Sequence, residues 1–233
     1  MNFAPDRSRL TRVLEPEAMD SSDEAREYDA MDHGEVNRRF VAELLVALRA
    51  AGLPDDVEVL DLGTGTAQIP IELCRQNPKA RVLAIDLAEE MLRLAERNVA
   101  AARLSGRIRL QQVDAKRLPF ADGQFAVVMS NSIVHHITEP STALAEAVRV
   151  LRSPGGLFFV RDLARPFEDA QVGQLVATYA ADCSDRQRQL FDDSLRAALS
   201  VEEIRQLAIE LGCDPQCVTA TSDRHWTWQQ IRR

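Results

Sequence analysis

Glu58-Val59-Leu60-Asp61-Leu62-Gly63-Thr64-Gly65-Thr66-Ala67 is the stretch on which the fold turns. A short apolar run of strand character ends in a carboxylate, and two glycines then let the chain turn sharply toward a helix. No side chain intervenes at Gly63 or Gly65, so a ligand can approach the main chain there. Downstream the pattern alternates: helix from 67, strand 81–85, helix 88–104, strand 107–113, strand 125–130, helix 139–151 and strand 157–160. Strands alternating with helices of this length imply a parallel sheet covered on both faces. The fold class is therefore α/β, a doubly wound, mostly parallel sheet, whose first strand-to-helix crossing is a place where nucleotides bind.

Upstream, residues 1–36 are polar and charge-dense, with Asp20-Ser21-Ser22-Asp23-Glu24 as a helix-start signal. Phe40, Val41, Leu44, Leu45 and Leu48 then recur at helical spacing, and Gly52 and Pro54 end that helix. Beyond the alternating region, 165–198 carries no strand signal and reads as one or two inserted helices. Ser200 and Glu203 form a capping box ahead of Ile204, Leu207, Ala208 and Leu211, and Gly212 terminates that helix. Two short strands follow, around 217–220 and 224–228. The economical organisation is one domain, 1–233: an arm and helix at 1–53, a ligand-binding core at 54–163, a helical lid insert at 164–199, and a last helix and strands at 200–233.

The chain has 233 residues, 28 basic and 36 acidic side chains and a net charge of −8. That balance lacks the basic footprint of a general nucleic-acid binder, and 5% aromatics do not furnish a base-stacking platform. No apolar run approaches the length of a membrane span, and the first residues carry no signal-peptide core. With four scattered cysteines pointing to a reducing compartment, the expected location is cytoplasmic, without membrane insertion. Cys213, Cys217 and His225 lack the further ligands of a zinc site, so no metal is expected.

Two ligands compete for the glycine turn. The dinucleotide pattern G-x-G-x-x-G fails, since Gln68 stands where its third glycine belongs. Asp61 suits a cationic ligand instead, because a carboxylate accepts hydrogen bonds from an amino-acid ammonium. Asp86 ends the next strand at a spacing where a carboxylate accepts ribose hydroxyls. Asp114-Ala115 closes the third strand where an adenine edge would be read.

Asp61-Leu62-Gly63-Thr64-Gly65-Thr66, Asp86-Leu87-Ala88-Glu89-Glu90-Met91-Leu92 and Asp114-Ala115-Lys116-Arg117-Leu118-Pro119-Phe120 occur in that order. Asp122-Gly123-Gln124-Phe125-Ala126-Val127-Val128 and Arg149-Val150-Leu151-Arg152-Ser153-Pro154-Gly155-Gly156 complete the series. Over 57–162 the chain resembles the class I S-adenosylmethionine-dependent methyltransferases, in particular the small-molecule branch that includes quinone-biosynthesis enzymes. Two departures stand out: Ala67 replaces a usual third glycine, and the insert does not follow the quinone-enzyme pattern. The resemblance implies a Rossmann-like methyltransferase fold and S-adenosylmethionine as cofactor. It places Asp61, Gly63, Thr64 and Gly65 around the methionine part, and Asp86 on the ribose. Leu87 and Met91 then lie against the adenine, Asp114 accepts from its amino group, Ala115 offers its backbone amide, and Asn131 lies near the transferred methyl. No Asn-Pro-Pro-aromatic sequence stands at Asn131, which agrees with a small-molecule acceptor and no nucleic acid.

His135 and Asp162, at the ligand-facing strand ends, are the candidate catalytic residues, one as general base. His136 shares the position, and Arg161 and Arg165 are placed to hold an anionic substrate. Segments 24–39 and 165–198 are expected to form a lid, with Tyr28, Met31 and His33 on its inner surface and Arg38 binding an acidic group. The competing functions are an NAD(P)-dependent oxidoreductase on the same architecture and a non-catalytic cofactor-binding module.

Overall fold

The structure, a computed structural model, describes residues 10–15, 22–29 and 34–232. Two helices, α1 (Ser22–Asp29) and α2 (Gly34–Ala50), precede the alternating region. This comprises β1 (Glu58–Leu62), α3 (Gln68–Gln76), β2 (Arg81–Asp86), α4 (Glu89–Ala101) and β3 (Ile108–Gln112). It continues with β4 (Val127–Asn131), α5 (Pro140–Val150) and β5 (Leu157–Leu163). The insert is a pair of helices, α6 (Asp169–Tyr179) and α7 (Asp185–Ala197), followed by α8 (Val201–Glu210), a 3-10 turn at Pro215–Cys217, β6 (Val218–Ala220) and β7 (His225–Ile231). These strands make one seven-stranded sheet in the order β3-β2-β1-β4-β5-β7-β6. Its centre is parallel, with Asp61 opposite Ala84 on β2 and Met129 on β4. The reversal of strand order lies at β1 and β4, so the carboxyl ends of β1, β2 and β4 frame the crevice that this topology creates.

Within the chain two compact units are distinguished. One comprises 18–133, 139–160 and 228–233; the other comprises 1–17, 134–138 and 161–227. A scan for linkers reads one domain here for a simple reason: the chain passes between the units several times, so no single composition break marks them. In the first unit, Phe40, Leu44 and Leu48 of α2 and Ile71 and Leu73 of α3 bury into one core with Val59, Val82, Met129 and Phe159 of the sheet. Phe40 and Phe159 meet edge to face, ring centroids 5.1 Å apart. In the second unit, Val172 and Leu175 of α6 pack with Leu195 of α7, Leu163 and Leu10. Both of its later helices start on capping boxes, Ser184 with Gln187 and Ser200 with Glu203. Only the second has the serine–glutamate spelling read in the sequence.

The last central strand runs three residues further than its apolar run suggests. All seven residues of β5 are buried, Arg161 and Asp162 included. Their burial is supported by specific bonds: Arg161 Nε donates to Thr227 Oγ1 at 2.9 Å, and Asp162 is enclosed by donors described below.

Candidate active site

The β1–α3 turn is built from backbone conformations that most residues avoid. Gly63 has φ +68° and Gly65 +54°, and Ala67 follows at +63° as the residue capping α3. Ala67 thus takes the left-handed conformation where the resembled family carries glycine. The strain, about 1–2 kcal/mol, is offset in part by its methyl, which is fully buried in the core. At Gly63 a Cβ would lie 2.1 Å from Ile133 Cγ2, so the side chain after β4 closes directly over the glycine.

Asp86 fixes the turn from the neighbouring strand. Its Oδ2 accepts from Gly65 N at 2.7 Å, and its Oδ1 accepts from Ala88 N at 2.9 Å, just before α4. Asp86 therefore holds the turn from β2 and serves as the acceptor at the start of α4.

Asp61 is buried, and its Oδ2 makes no hydrogen bond. Burial pushes its carboxyl pKa up to about 7; the nearby Thr64 hydroxyl opposes the rise and the charge of Asp86 adds to it. Thr64 Oγ1, Thr66 Oγ1 and Asn131 Oδ1 are likewise buried without partners. Native proteins seldom leave such groups unsatisfied, and four around one glycine turn describe a polar cradle awaiting donors and acceptors. Ser130 Oγ donates to Leu62 O at 2.8 Å and ties the ends of β4 and β1, bringing Asn131 to the turn.

At the third strand end, Asp114 Oδ1 accepts from Lys116 N at 2.9 Å while its Oδ2 takes none of the observed bonds. The Ala115 amide makes no hydrogen bond among the described residues. Leu87 is 40% exposed, an apolar side chain left on the surface beside Asp86. Met91 differs: it is buried with Ala25, Ala88 and Leu94, at the contact of α1 with α4. Asp29, at the end of α1, accepts from Gln68 Nε2 at 3.2 Å and Asn98 Nδ2 at 2.9 Å, and Asn98 also donates to Thr66 O.

The candidate catalytic pair lies in the second unit and is joined. His135 Nδ1 and Asp162 Oδ1 are 2.5 Å apart, His135 N donates to Asp162 Oδ2 at 3.1 Å, and Leu163 N donates to Oδ1 at 2.6 Å. Burial alone would lower the imidazole pKa, but the charge and hydrogen bond of Asp162, with Glu15, outweigh it and the pKa is raised. Glu15 is a residue that sequence reading missed; its Oε1 is 3.1 Å from His136 Nδ1 and 3.5 Å from His135 Nε2. Thr66 and Ile133 were missed as well. Nothing short of the folded chain brings Glu15 to the histidines, whereas Thr66 stands inside the glycine turn and was readable.

Of the lid residues, Met31 and His33 lie outside the described residues, as does the Tyr28 side chain, and Arg38 is exposed on α2. The insert holds segment 10–15: Leu10 N donates to Phe167 O, Val13 N to Arg196 O, and Arg12 Nε to Ala197 O at 2.6 Å. A cavity of about 160 Å³ lies elsewhere, between the carboxyl ends of α2 and α3, beside Leu53, Pro54 and Pro78. It sits at the amino ends of the strands, away from the cradle.

A doubly wound sheet with a glycine turn after its first strand and carboxylates at the ends of the next two is the framework of a nucleotide-binding α/β protein. The comparisons specify which. A methyltransferase domain model matches residues 59–156. The chain is 32% identical over 193 residues to the malonyl-[acyl-carrier protein] O-methyltransferase of Geobacter sulfurreducens, covering 79% of this chain and 68% of that one. It is 35% identical over 129 residues to a ubiquinone/menaquinone biosynthesis C-methyltransferase of Desulfotalea psychrophila, 55% of this chain and 48% of that protein, about half its length. In fold it is similar to an S-adenosyl-L-methionine-dependent methyltransferase of Methanococcus maripaludis, TM-score 0.67 at 18% identity, covering 94% and 97% of the two chains. The chain belongs to the S-adenosylmethionine-dependent methyltransferases, and S-adenosylmethionine is its cofactor. Among the described residues, no helix is long and apolar enough to cross a membrane.

Proposed function

We propose that this methyltransferase moves the methyl group of S-adenosylmethionine to an oxygen, nitrogen or carbon nucleophile of an acidic small molecule in the cytoplasm. The observation that carries the reading is the set of buried, unpartnered polar atoms of Asp61, Thr64, Thr66 and Asn131 around Gly63 and Gly65. These fit a zwitterionic amino-acid moiety: Asp61 would take its ammonium, the threonine hydroxyls would donate to its carboxylate, and Asn131 would lie near its methyl-bearing end. Asp86 would hold the ribose hydroxyls, and Leu87, Asp114 and Ala115 the adenine. When bound, the cofactor supplies a methyl group already activated by a sulfonium. The protein's task is to align the nucleophile and exclude water.

His135 and Asp162, joined at 2.5 Å, are the pair we propose for the proton of an acceptor that arrives protonated. An acidic acceptor is supported by Arg165, whose Nε is buried and unpartnered while its other nitrogens hold Ala198 O and Glu203. The relatives supply two probes of opposite character, a malonyl thioester and a quinol. Calorimetry should show one S-adenosylhomocysteine per chain, and turnover to S-adenosylhomocysteine should be faster with the malonyl thioester. Absence of cofactor binding would sink the reading; faster quinol turnover would overturn its acidic-acceptor part alone.

A further inference from the structure

We propose that Glu15, His135 and His136 form a site for one divalent transition-metal ion of the zinc class. Their donor atoms, Glu15 Oε1, His135 Nε2 and His136 Nδ1, all lie within 4.8 Å of one another. The carboxylate oxygen is 3.1 Å from one ring nitrogen and 3.5 Å from the other. Tetrahedral donors bound to zinc at ordinary lengths stand roughly 3.3 Å apart. The two separations from the carboxylate fall on either side of that value, and the two ring nitrogens lie within 4.8 Å of each other. Two imidazoles and one carboxylate are a common zinc donor set, and three protein ligands leave a fourth position open to water or another ligand.

The surroundings are those that support metal ligands. Asp162 Oδ1 occupies His135 Nδ1 at 2.5 Å and itself accepts from Leu163 N at 2.6 Å. This carboxylate–histidine arrangement fixes the tautomer that presents the Nε2 lone pair and strengthens it as a ligand. Ser194 Oγ, 3.2 Å from Glu15 Oε1, steadies the carboxylate. Arg12 turns its guanidinium to main-chain carbonyls, donating to His135 O at 3.1 Å, Ile137 O at 3.0 Å and Ala197 O at 2.6 Å. That pins the 134–138 loop by its backbone while both rings face Glu15. The side chains of His135 and Asp162 are 4% and 1% exposed, and Glu15 is 11% exposed, so bulk water competes little for the donors. An ion there would cross-link segment 10–15 to the 134–138 loop. An ion on His135 Nε2 would occupy the lone pair a general base needs, so bound metal and proton transfer by His135 exclude each other, and the readout is metal binding itself.

The experiment titrates the full-length protein, stripped with chelator, with Zn²⁺ and with Co²⁺ as a spectroscopic reporter. Expected are one ion per chain, a cobalt ligand-field spectrum of nitrogen–oxygen character, and a higher thermal midpoint with Zn²⁺. Asp162→Asn should weaken the affinity about 10–100-fold, and Glu15→Gln and His136→Gln should weaken it further while S-adenosylhomocysteine still binds. His136→Gln guards against misfolding, since that ring is partly exposed. The proposal is overturned by no stoichiometric binding, by unchanged affinity in both substituted ligands, or by thiolate charge-transfer bands that would move the ion to cysteines. Loss of metal binding in a protein that still methylates leaves the methyltransferase reading intact.

Discussion

A methyl group placed on Gly63 would meet Ile133 Cγ2 at 2.1 Å on a backbone already at φ +68°, so two separate costs fall on one atom. Overpacking contributes about 1–3 kcal/mol and the left-handed conformation about 1–2 kcal/mol. Gly63→Ala is therefore expected to lower the urea-unfolding free energy by several-fold the error of the measurement. Gly63→Ala with Ile133→Ala should recover the overpacking part alone, seen as a positive coupling in a double-mutant cycle. Equal losses in the single and double variants would show that Ile133 does not close over the turn. Asp61 gives a second test at the same scale. Its carboxyl is raised from 3.8 to about 7, so the folded, ligand-free chain binds a proton that the unfolded chain releases. By linkage the stability of the ligand-free protein falls as pH rises from about 4 to 7, by up to about 4 kcal/mol. Asp61→Asn should flatten that slope. A bound ammonium favours the ionised form, so cofactor affinity should rise with pH up to about 7 and calorimetry at pH 6 should detect about one proton released per site. An affinity independent of pH between 5 and 7 would mean that Asp61 does not face the ammonium.

At the scale of elements, α1 reaches the glycine turn through α3 and α4. Ala25 packs on Met91 and Ala88 of the α4 region, and Asp29 accepts from both Gln68 and Asn98. Asn98 spans the two, since the same nitrogen donates to Thr66 O at 3.1 Å. Asn98→Ala should cost about 1–3 kcal/mol of stability, because it leaves acceptors unpaired, and should raise KM for the cofactor several-fold with kcat little changed. An unaltered KM would show that the turn holds its shape without α1. These contacts also explain what could be read in advance. The glycine turn, the strand-ending acids and the Ser200 capping box are local patterns, and each stands in the structure where its spacing places it. Met91, which the resemblance places against the adenine, packs with Ala25, Ala88 and Leu94, and helical spacing is the same for a core residue and for a ligand contact. The extent of β5 was unreadable for a related reason: Arg161 and Asp162 break the apolar run, and their burial depends on Thr227, His135 and Leu163, which no local window contains.

For the whole molecule, the path of the chain decides what each amino-terminal segment can do. Residues 10–15 belong with α6, α7 and the 134–138 loop, where Leu10 packs with Leu163 and Val172 and Arg12 bridges three carbonyls. Residues 22–29 belong with the cofactor turn. A sequence scan sees one polar arm; the structure assigns its halves to different units and so to different jobs. Two truncations separate them. Removing 1–17 takes away Leu10, Arg12 and Glu15, whereas the described bonds that order the cradle come from Asp86, Asn98 and Ser130. It should lower the thermal midpoint and slow turnover while leaving affinity for S-adenosylhomocysteine within about threefold, since a 1.4 kcal/mol change would be needed for tenfold. Removing 1–33 also takes α1 and the Asp29 acceptor, and should weaken that affinity by an additional tenfold or more. Calorimetry on the two truncated proteins, with circular dichroism to verify folding, reads both effects. If the longer deletion binds cofactor as tightly as the shorter one, α1 has no part in holding the site. If the shorter deletion methylates as fast as the full chain, segment 10–15 has no part in turnover.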